Sequence, residues 1–355
     1  MKKYIALLLA GAMAFSAAGC GGAAEEMIEV STELNIYMWQ DYISEDLISA
    51  FEEANGCTVN LTALESATAA VEKLEAGCGA EYDLVMVKNK DIGALVEKEC
   101  LEKISPDKLP NTSTLNESLW LSKSYGIPYL MQYIYVVYDA KTCPVEIKGY
   151  HDLLDPALKG QISSVDGARN LFGIALTALG YSPNTTEESE LATAYDWLVK
   201  YNENVAVYEK NVQQNLIDGK VSVAVTYDQN AAAAMAKRPS IKVASFAKDK
   251  IQAEVDMFVI PKEAQHVDLA KEFLNYICDP EVMAANLEEM PYSCPNDVAV
   301  VLASDAYKNA PERAFDYENN VFLLKSLEDA ELYDVYYQKL KTADPAEEAQ
   351  EMPVE

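Results

Sequence analysis

The chain has 355 residues, half of them apolar, which is enough for two lobes that each bury a core. Its formal net charge of −29 gives a surface that repels nucleic acid and anionic lipid, so no nucleic-acid partner is expected. His151 and His266 are the only histidines, and no CxxC or Cys/His spacing occurs, so neither a metal nor another cofactor is expected.

The first element in the chain is a leader. Residues 1–19 run from Lys2 and Lys3 through YIALLLAGAMAF to the small residues Ser16 to Gly19, the pattern of an export signal. The apolar run is too short for a permanent membrane helix, and no other stretch of about 18 apolar residues follows. Removing the leader takes away two lysines and no acids, which leaves −31. SAAGC resembles the lipobox of bacterial lipoproteins, with Ala17 where leucine is usual. That resemblance implies acylation of Cys20 and a flexible tether over 20–32. The exported protein would then be held on the outer face of the cytoplasmic membrane by acyl chains, not by charge; an ordinary signal peptide is the alternative. Six cysteines remain: Cys57, Cys78, Cys100, Cys143, Cys278 and Cys294. Disulfides and free thiols are equally expected.

Strands and helices then alternate. A strand at 34–39 leads to a helix capped at Ser44, with Leu47, Ile48 and Phe51 on one face and Gly56 as its stop. TVNLTAL, YDLVMV, QISSVD, VAVY and VSVAVTYD read as further strands, each followed or preceded by a helical stretch. This alternation predicts α/β architecture with parallel strands covered on both faces. Two long extended segments interrupt it, SYGIPYLMQYIYVVYD at 124–139 and VDMFVIP from Val255, and both read as crossovers between lobes. The expected lobes are 33–130 plus 258–303 and 131–257 plus 304–343, followed by a disordered acidic tail at 344–355. Ligands in such folds sit at the carboxyl ends of strands, in the crevice between the halves.

Two strand exits carry unusual chemistry. The first crowds Trp39, Gln40, Asp41 and Tyr42 together where a chain commonly turns on Gly, Asn or Pro, and another ends in Tyr227 and Asp228. A carboxylate flanked by aromatic faces suits an alkylammonium: cation–π contacts contribute roughly 0.5–2 kcal/mol each and charged hydrogen bonds about 1.5–3 kcal/mol. Two of each would support micromolar binding, about 8 kcal/mol.

Three segments together resemble the spermidine/putrescine-binding receptors of bacterial ABC importers: IYMWQDYISEDLISAFEEANGCTVNL, YHDLLDPALKGQISSVDGARNLFGIALTALGYSPNTTEE and VDMFVIPKEAQHVDLAKEFLNYICDPEVMAANLEEMPYSCPN. The C-terminal LYDVYYQKLK is similar to that family's closing helix. The resemblance implies a type II periplasmic-binding-protein fold and a monomeric, non-catalytic receptor that carries a polyamine to permease membrane subunits. It places Trp39, Asp41, Tyr42, Tyr227, Asp228, Asp256 and Tyr292 around the ligand, with Asp256 opening the return segment. It also exposes departures. Gly167 and Asn170 stand where the spermidine binders have acids, Glu254 replaces a tryptophan, and Lys88 and Lys90 stand where a serine and a tyrosine are usual. A short diamine is therefore favoured over spermidine. The lysines are expected to point to solvent, and Tyr336 and Tyr337 to serve helix packing. Two other readings stay open: a receptor for a zwitterion whose carboxylate meets Lys90 or Arg169, and a hydrolase that uses Asp41 and Asp256 as acid and base.

Overall fold

The computed structural model describes residues 32–342 except 121, 210–211, 245–249, 311–320 and 328. The leader, Cys20 with nearly all of its tether, and the tail beyond 343 lie outside the described residues.

β1 (Thr32–Met38) is flanked by β2 (Cys57–Ala63) and β3 (Leu84–Lys88), all parallel. The same arrangement recurs later in the chain, where β5 (Ile162–Ser164) lies between β6 (Val205–Tyr208) and β7 (Val223–Tyr227), again parallel. Between the two triplets run the crossover strands β4 (Ile127–Asp139) and β9 (Ile251–Val259), antiparallel to each other. The full order is β2-β1-β3-β9-β4-β7-β5-β6, with β8 (Ile241–Val243) added to β4 and β10 (Val321–Leu323) to β9. The expected two-lobed α/β architecture is the observed one.

The crossover strands serve both lobes. The first half of β4 pairs with β9 and its second half with β7 and β8, while β9 gives its first residues to β10 and its last to β3. With both faces covered, β4 reads as a nearly unbroken buried run. Pro128, which lacks an N–H, coincides with a register shift near the start of β4. β9 begins at Ile251, before the expected Val255, so Asp256 sits inside the strand and does not open it. Gln252 and Glu254 hid that start, because they are polar side chains that this strand buries.

Two cores follow from this wiring. One gathers Leu34, Ile36, Phe51, Leu84, Phe258 and Phe273 beneath the first triplet, and the other gathers Ile162, Phe172, Ile174, Leu198, Val223 and Tyr333 beneath the second. Local signals close the elements that carry them. After α1 (Glu45–Asn55), Gly56 takes the left-handed conformation (φ 61°) and returns its N–H to Glu52 O at 2.8 Å, the stop its sequence predicts. All six cysteines after Cys20 are free thiols. No helix among the described residues is long and apolar enough to cross a membrane. Tyr336 packs against Phe172 and Tyr195, as expected. Tyr337 instead donates its hydroxyl to Asp166 at 2.8 Å.

Candidate functional site

The exits of β1, β3 and β7 converge on the crossover strands. β1 ends in a turn in which Asp41 takes φ 59°, a left-handed conformation that Asp tolerates better than most residues. The turn is held from outside. Asn286, on α9 (Pro280–Glu289), donates its side-chain amide to Tyr42 O at 3.0 Å and accepts from Ser44 N at 3.0 Å. Tyr129 Oη donates to the same Tyr42 O at 2.9 Å. So fixed, the turn aims Trp39 and Tyr42 at β9, where Trp39 Nε1 donates to Asp256 Oδ1 at 3.3 Å and Tyr42 Oη to Asp256 Oδ2 at 3.2 Å. Tyr292 packs its ring 4.5 Å from that of Tyr42, tilted 49°.

Asp228, the first residue of α7 (Asp228–Lys237), is buried. It accepts from Tyr133 N at 3.3 Å and from Ser293 Oγ at 2.9 Å. Its charge, with that of Asp41, adds to burial in pushing the Tyr292 phenol up to about 12. Burial and then Asp256 push the Tyr42 phenol well above its ordinary value. Both rings are thus neutral faces set among carboxylates. Tyr227 is half-buried and receives the Asn170 side-chain amide at 3.1 Å. Of the seven expected site residues, Trp39, Tyr42, Asp256 and Tyr292 form one contact cluster, with Asp228 and Tyr227 close by. Asp41 is exposed at the rim of a cavity of about 580 Å³, lined also by Trp39, Tyr42, Glu45, Asp46 and Glu289.

The lysines overturn an expectation. Lys88 does not point to solvent. It is 5 % exposed, and its Nζ lies 2.8 Å from Asp256 Oδ1, 2.8 Å from Gln132 Oε1 and 4.0 Å from Glu254 Oε2. Lys90 is largely buried too and pairs with Glu254 Oε1. The cause is strand register. Lys88 stands directly opposite Asp256 in the antiparallel β3–β9 ladder, and Gln132 opposite Glu254 in β4–β9, so all four side chains share a face. Burial works against the Lys88 ammonium, but Asp256 and Glu254 outweigh it and hold the group above its ordinary range. Burial likewise opposes the Glu254 charge, and Lys90 with Lys88 reverses that, holding the carboxyl below its usual value. Two ammonium groups and two carboxylates therefore neutralise one another inside the site. Gln132, whose amide also reaches Tyr42 Oη, completes the network.

On the other lobe, Gly167 and Asn170 flank the start of α4 (Ala168–Ala178) and bring no charge. Arg169 lies over the Tyr333 ring at 4.8 Å and donates to Asn184 Oδ1 at 2.9 Å and Lys325 O at 3.3 Å, so its guanidinium is bound within its own lobe and to a connecting segment. Among the described residues no group of His, Cys, Asp and Glu could hold a metal ion.

The sequence pattern of the bacterial extracellular solute-binding proteins matches residues 46–315. The chain is 28 % identical over 357 aligned residues to the spermidine/putrescine-binding periplasmic protein of Escherichia coli, covering 96 % of this chain and 99 % of that one. Among solved structures it is similar to the spermidine/putrescine ABC transporter substrate-binding protein PotD from Streptococcus pneumoniae, with TM-score 0.77 and 25 % identity over 88 % of this chain and 99 % of that one. The TpPotD lipoprotein of Treponema pallidum is similar at TM-score 0.77 and 25 % identity, over 87 % and 99 % of the two chains. With the fold, the strand-exit site and a family match over most of its length in agreement, this chain belongs to the bacterial extracellular solute-binding proteins.

Proposed function

We propose that the protein is the extracytoplasmic receptor of an ABC importer, that it closes on a small aliphatic amine of the polyamine class, and that it hands this cargo to permease membrane subunits without chemical change. The observation that carries this reading is the aromatic and acidic cluster at the β1 exit: Trp39 and Tyr42 docked on Asp256, Tyr292 packed at a tilt against Tyr42, and Asp41 and Asp228 near enough to act on the Tyr292 phenol. Rings held neutral beside carboxylates are what an alkylammonium and its methylene stem require. A ligand that touches both lobes stabilises the closed arrangement over the open one, which is how binding becomes a signal to the permease.

A diamine of putrescine length fits better than spermidine. Gly167 and Asn170 offer no charge to a further ammonium, and Asp256 and Glu254 are already neutralised by lysines. The hydrolase alternative loses support from the same facts, because Asp256 is buried and engaged by Lys88, Trp39 and Tyr42, while Asp41 stands exposed at the rim. The relative named for spermidine and putrescine supports polyamine transport, and the similar structure named a lipoprotein supports acylation at Cys20. The test is isothermal titration of the mature protein with putrescine, cadaverine and spermidine. Micromolar binding of the diamines, with spermidine weaker, is expected. No heat with any of the three at millimolar concentration removes the polyamine claim.

A further inference from the structure

Lys88 is more than a counter-ion. It ends β3, and its stem lies on the sheet face that bears Gln132, Glu254 and Asp256, beside Trp39 and Tyr42. An ammonium has three N–H bonds to satisfy, and two oxygens lie within hydrogen-bond reach of this one, Asp256 Oδ1 at 2.8 Å and Gln132 Oε1 at 2.8 Å, while Glu254 Oε2 at 4.0 Å adds the attraction of a second carboxylate. Two carboxylates, a carbonyl oxygen and neighbouring aromatic rings are the surroundings that a free alkylammonium seeks. Lys90 pairs with the other oxygen of Glu254. The chain thus supplies, from its own side chains, ammonium groups at places built to hold them.

Resting on the reading of this protein as an amine receptor, we propose that Lys88 is a specificity-determining residue: its own ammonium fills a place that a longer polyamine would otherwise fill, so the site takes a diamine in preference to a triamine. A third ligand ammonium would have to lie against Lys88, where like charges repel in a site shielded from water, or drive it out. Driving it out is opposed by the ladder, which fixes the lysine backbone directly across from Asp256.

The test is titration of the mature protein and of Lys88→Ala with putrescine and spermidine. The parent should prefer putrescine, and the variant should shift the affinity ratio toward spermidine by roughly tenfold or more, because a charged hydrogen bond becomes available to the third ammonium. An unchanged ratio overturns the proposal and leaves Lys88 a purely structural partner of Asp256. If the parent binds neither amine, the polyamine reading fails, and Lys88 is judged by thermal unfolding instead. Methylammonium chloride should then recover the lowered midpoint of Lys88→Ala where sodium chloride at equal ionic strength does not. If Lys88→Ala does not fold at all, refolding with and without methylammonium decides the matter in the same way. The Lys88→Met/Asp256→Asn double variant, uncharged at both positions, serves as the folded control that methylammonium should not stabilise. Absence of methylammonium rescue of Lys88→Ala overturns the proposal.

Discussion

The two lobes are wired alike and furnished differently. In each, the first strand of the triplet lies between the second and third, and an antiparallel crossover strand borders the third. Yet the exits of β1 and β3 deliver Trp39, Asp41, Tyr42, Lys88 and Lys90, whereas those of β5 and β7 deliver Asp166, Gly167, Tyr227 and Asp228. The first lobe turns Lys88 and Lys90 inward and neutralises them against β9. The acid at the β5 exit turns the other way: Asp166 accepts from Tyr337 Oη at 2.8 Å and pairs with Lys341 at 3.0 Å, both on the helix Glu331–Thr342. One architecture thus yields a lobe that pairs two lysines inside the sheet and a lobe that pairs the acid of its β5 exit outward while burying Asp228 at its β7 exit. Backbone wiring sets where a site lies, and the side chains at a few strand ends set what it holds.

The largest expected effect separates the jaws by stability. Asp256→Ala leaves the buried Lys88 ammonium without its nearest carboxylate, and breaking a buried pair in this way costs about 3–5 kcal/mol. Asn170→Ala, which removes the amide that reaches Tyr227 at 3.1 Å, should cost only about 1 kcal/mol. Urea unfolding of both variants checks the contrast, and equal losses would mean that the inward charges contribute no more than a neutral hydrogen bond. Binding gives the next effect. Trp39→Ala removes one aromatic face and the donor to Asp256 Oδ1, so amine affinity should fall about tenfold or more, with the unfolding midpoint shifting less than in Asp256→Ala.

A smaller effect concerns the segment that ties the jaws together. Leu323 to Ser326 touches both sides. Asn89 Nδ2 reaches Leu324 O at 2.5 Å and Gly93 N reaches Ser326 Oγ at 3.0 Å from the first lobe, while Asn184 Nδ2 meets Leu323 O at 2.9 Å from the second. A Cβ added at Gly93 would stand 2.8 Å from Ser326 Oγ and 2.9 Å from its Cβ. Gly93→Ala should therefore displace this strap at a cost of about 1 kcal/mol and raise hydrogen exchange at Lys325 and Ser326. Unchanged exchange there would show that the strap tolerates the methyl group.

Most of the fold was legible, because period and punctuation are local properties. Gly56 stopped its helix, and the two apolar extended segments proved to be the crossovers. Trp39, Tyr42, Asp256 and Tyr292, which the family resemblance placed around one ligand, form one contact cluster. Lys88 and Lys90 were misjudged because a lysine at a strand exit ordinarily reaches water, and its true partner is set by register with a strand about 170 positions later in the sequence. A signal was present nonetheless. Gln252, Glu254 and Asp256 fall at alternate positions of an otherwise apolar stretch, and Gln132 is the one amide within β4. Polar residues sharing one face of a doubly covered strand need buried partners, and lysines at the neighbouring strand exit were the cations at hand.

The finest distinction between the jaws is one of pH. Asp166 is about two-fifths exposed. Burial opposes its charge, but Lys341 and the Gly167 N–H outweigh burial and hold its carboxyl below the ordinary value. A carboxyl depressed in the folded state stabilises above its unfolded value, near pH 4, and that contribution disappears as pH falls through the folded value. Because the pair is open to solvent, the amount is that of a surface ion pair, about 0.2–1 kcal/mol. Asp166→Asn should therefore lower stability slightly at neutral pH and converge with the parent protein below pH 4, the helix Glu331–Thr342 being the element loosened. Urea midpoints measured from pH 7 down to pH 3 decide it. A gap between the two proteins that stays constant over that range would mean that Asp166 acts through shape or neutral hydrogen bonding, and that the outward charge of the second jaw has no energetic role.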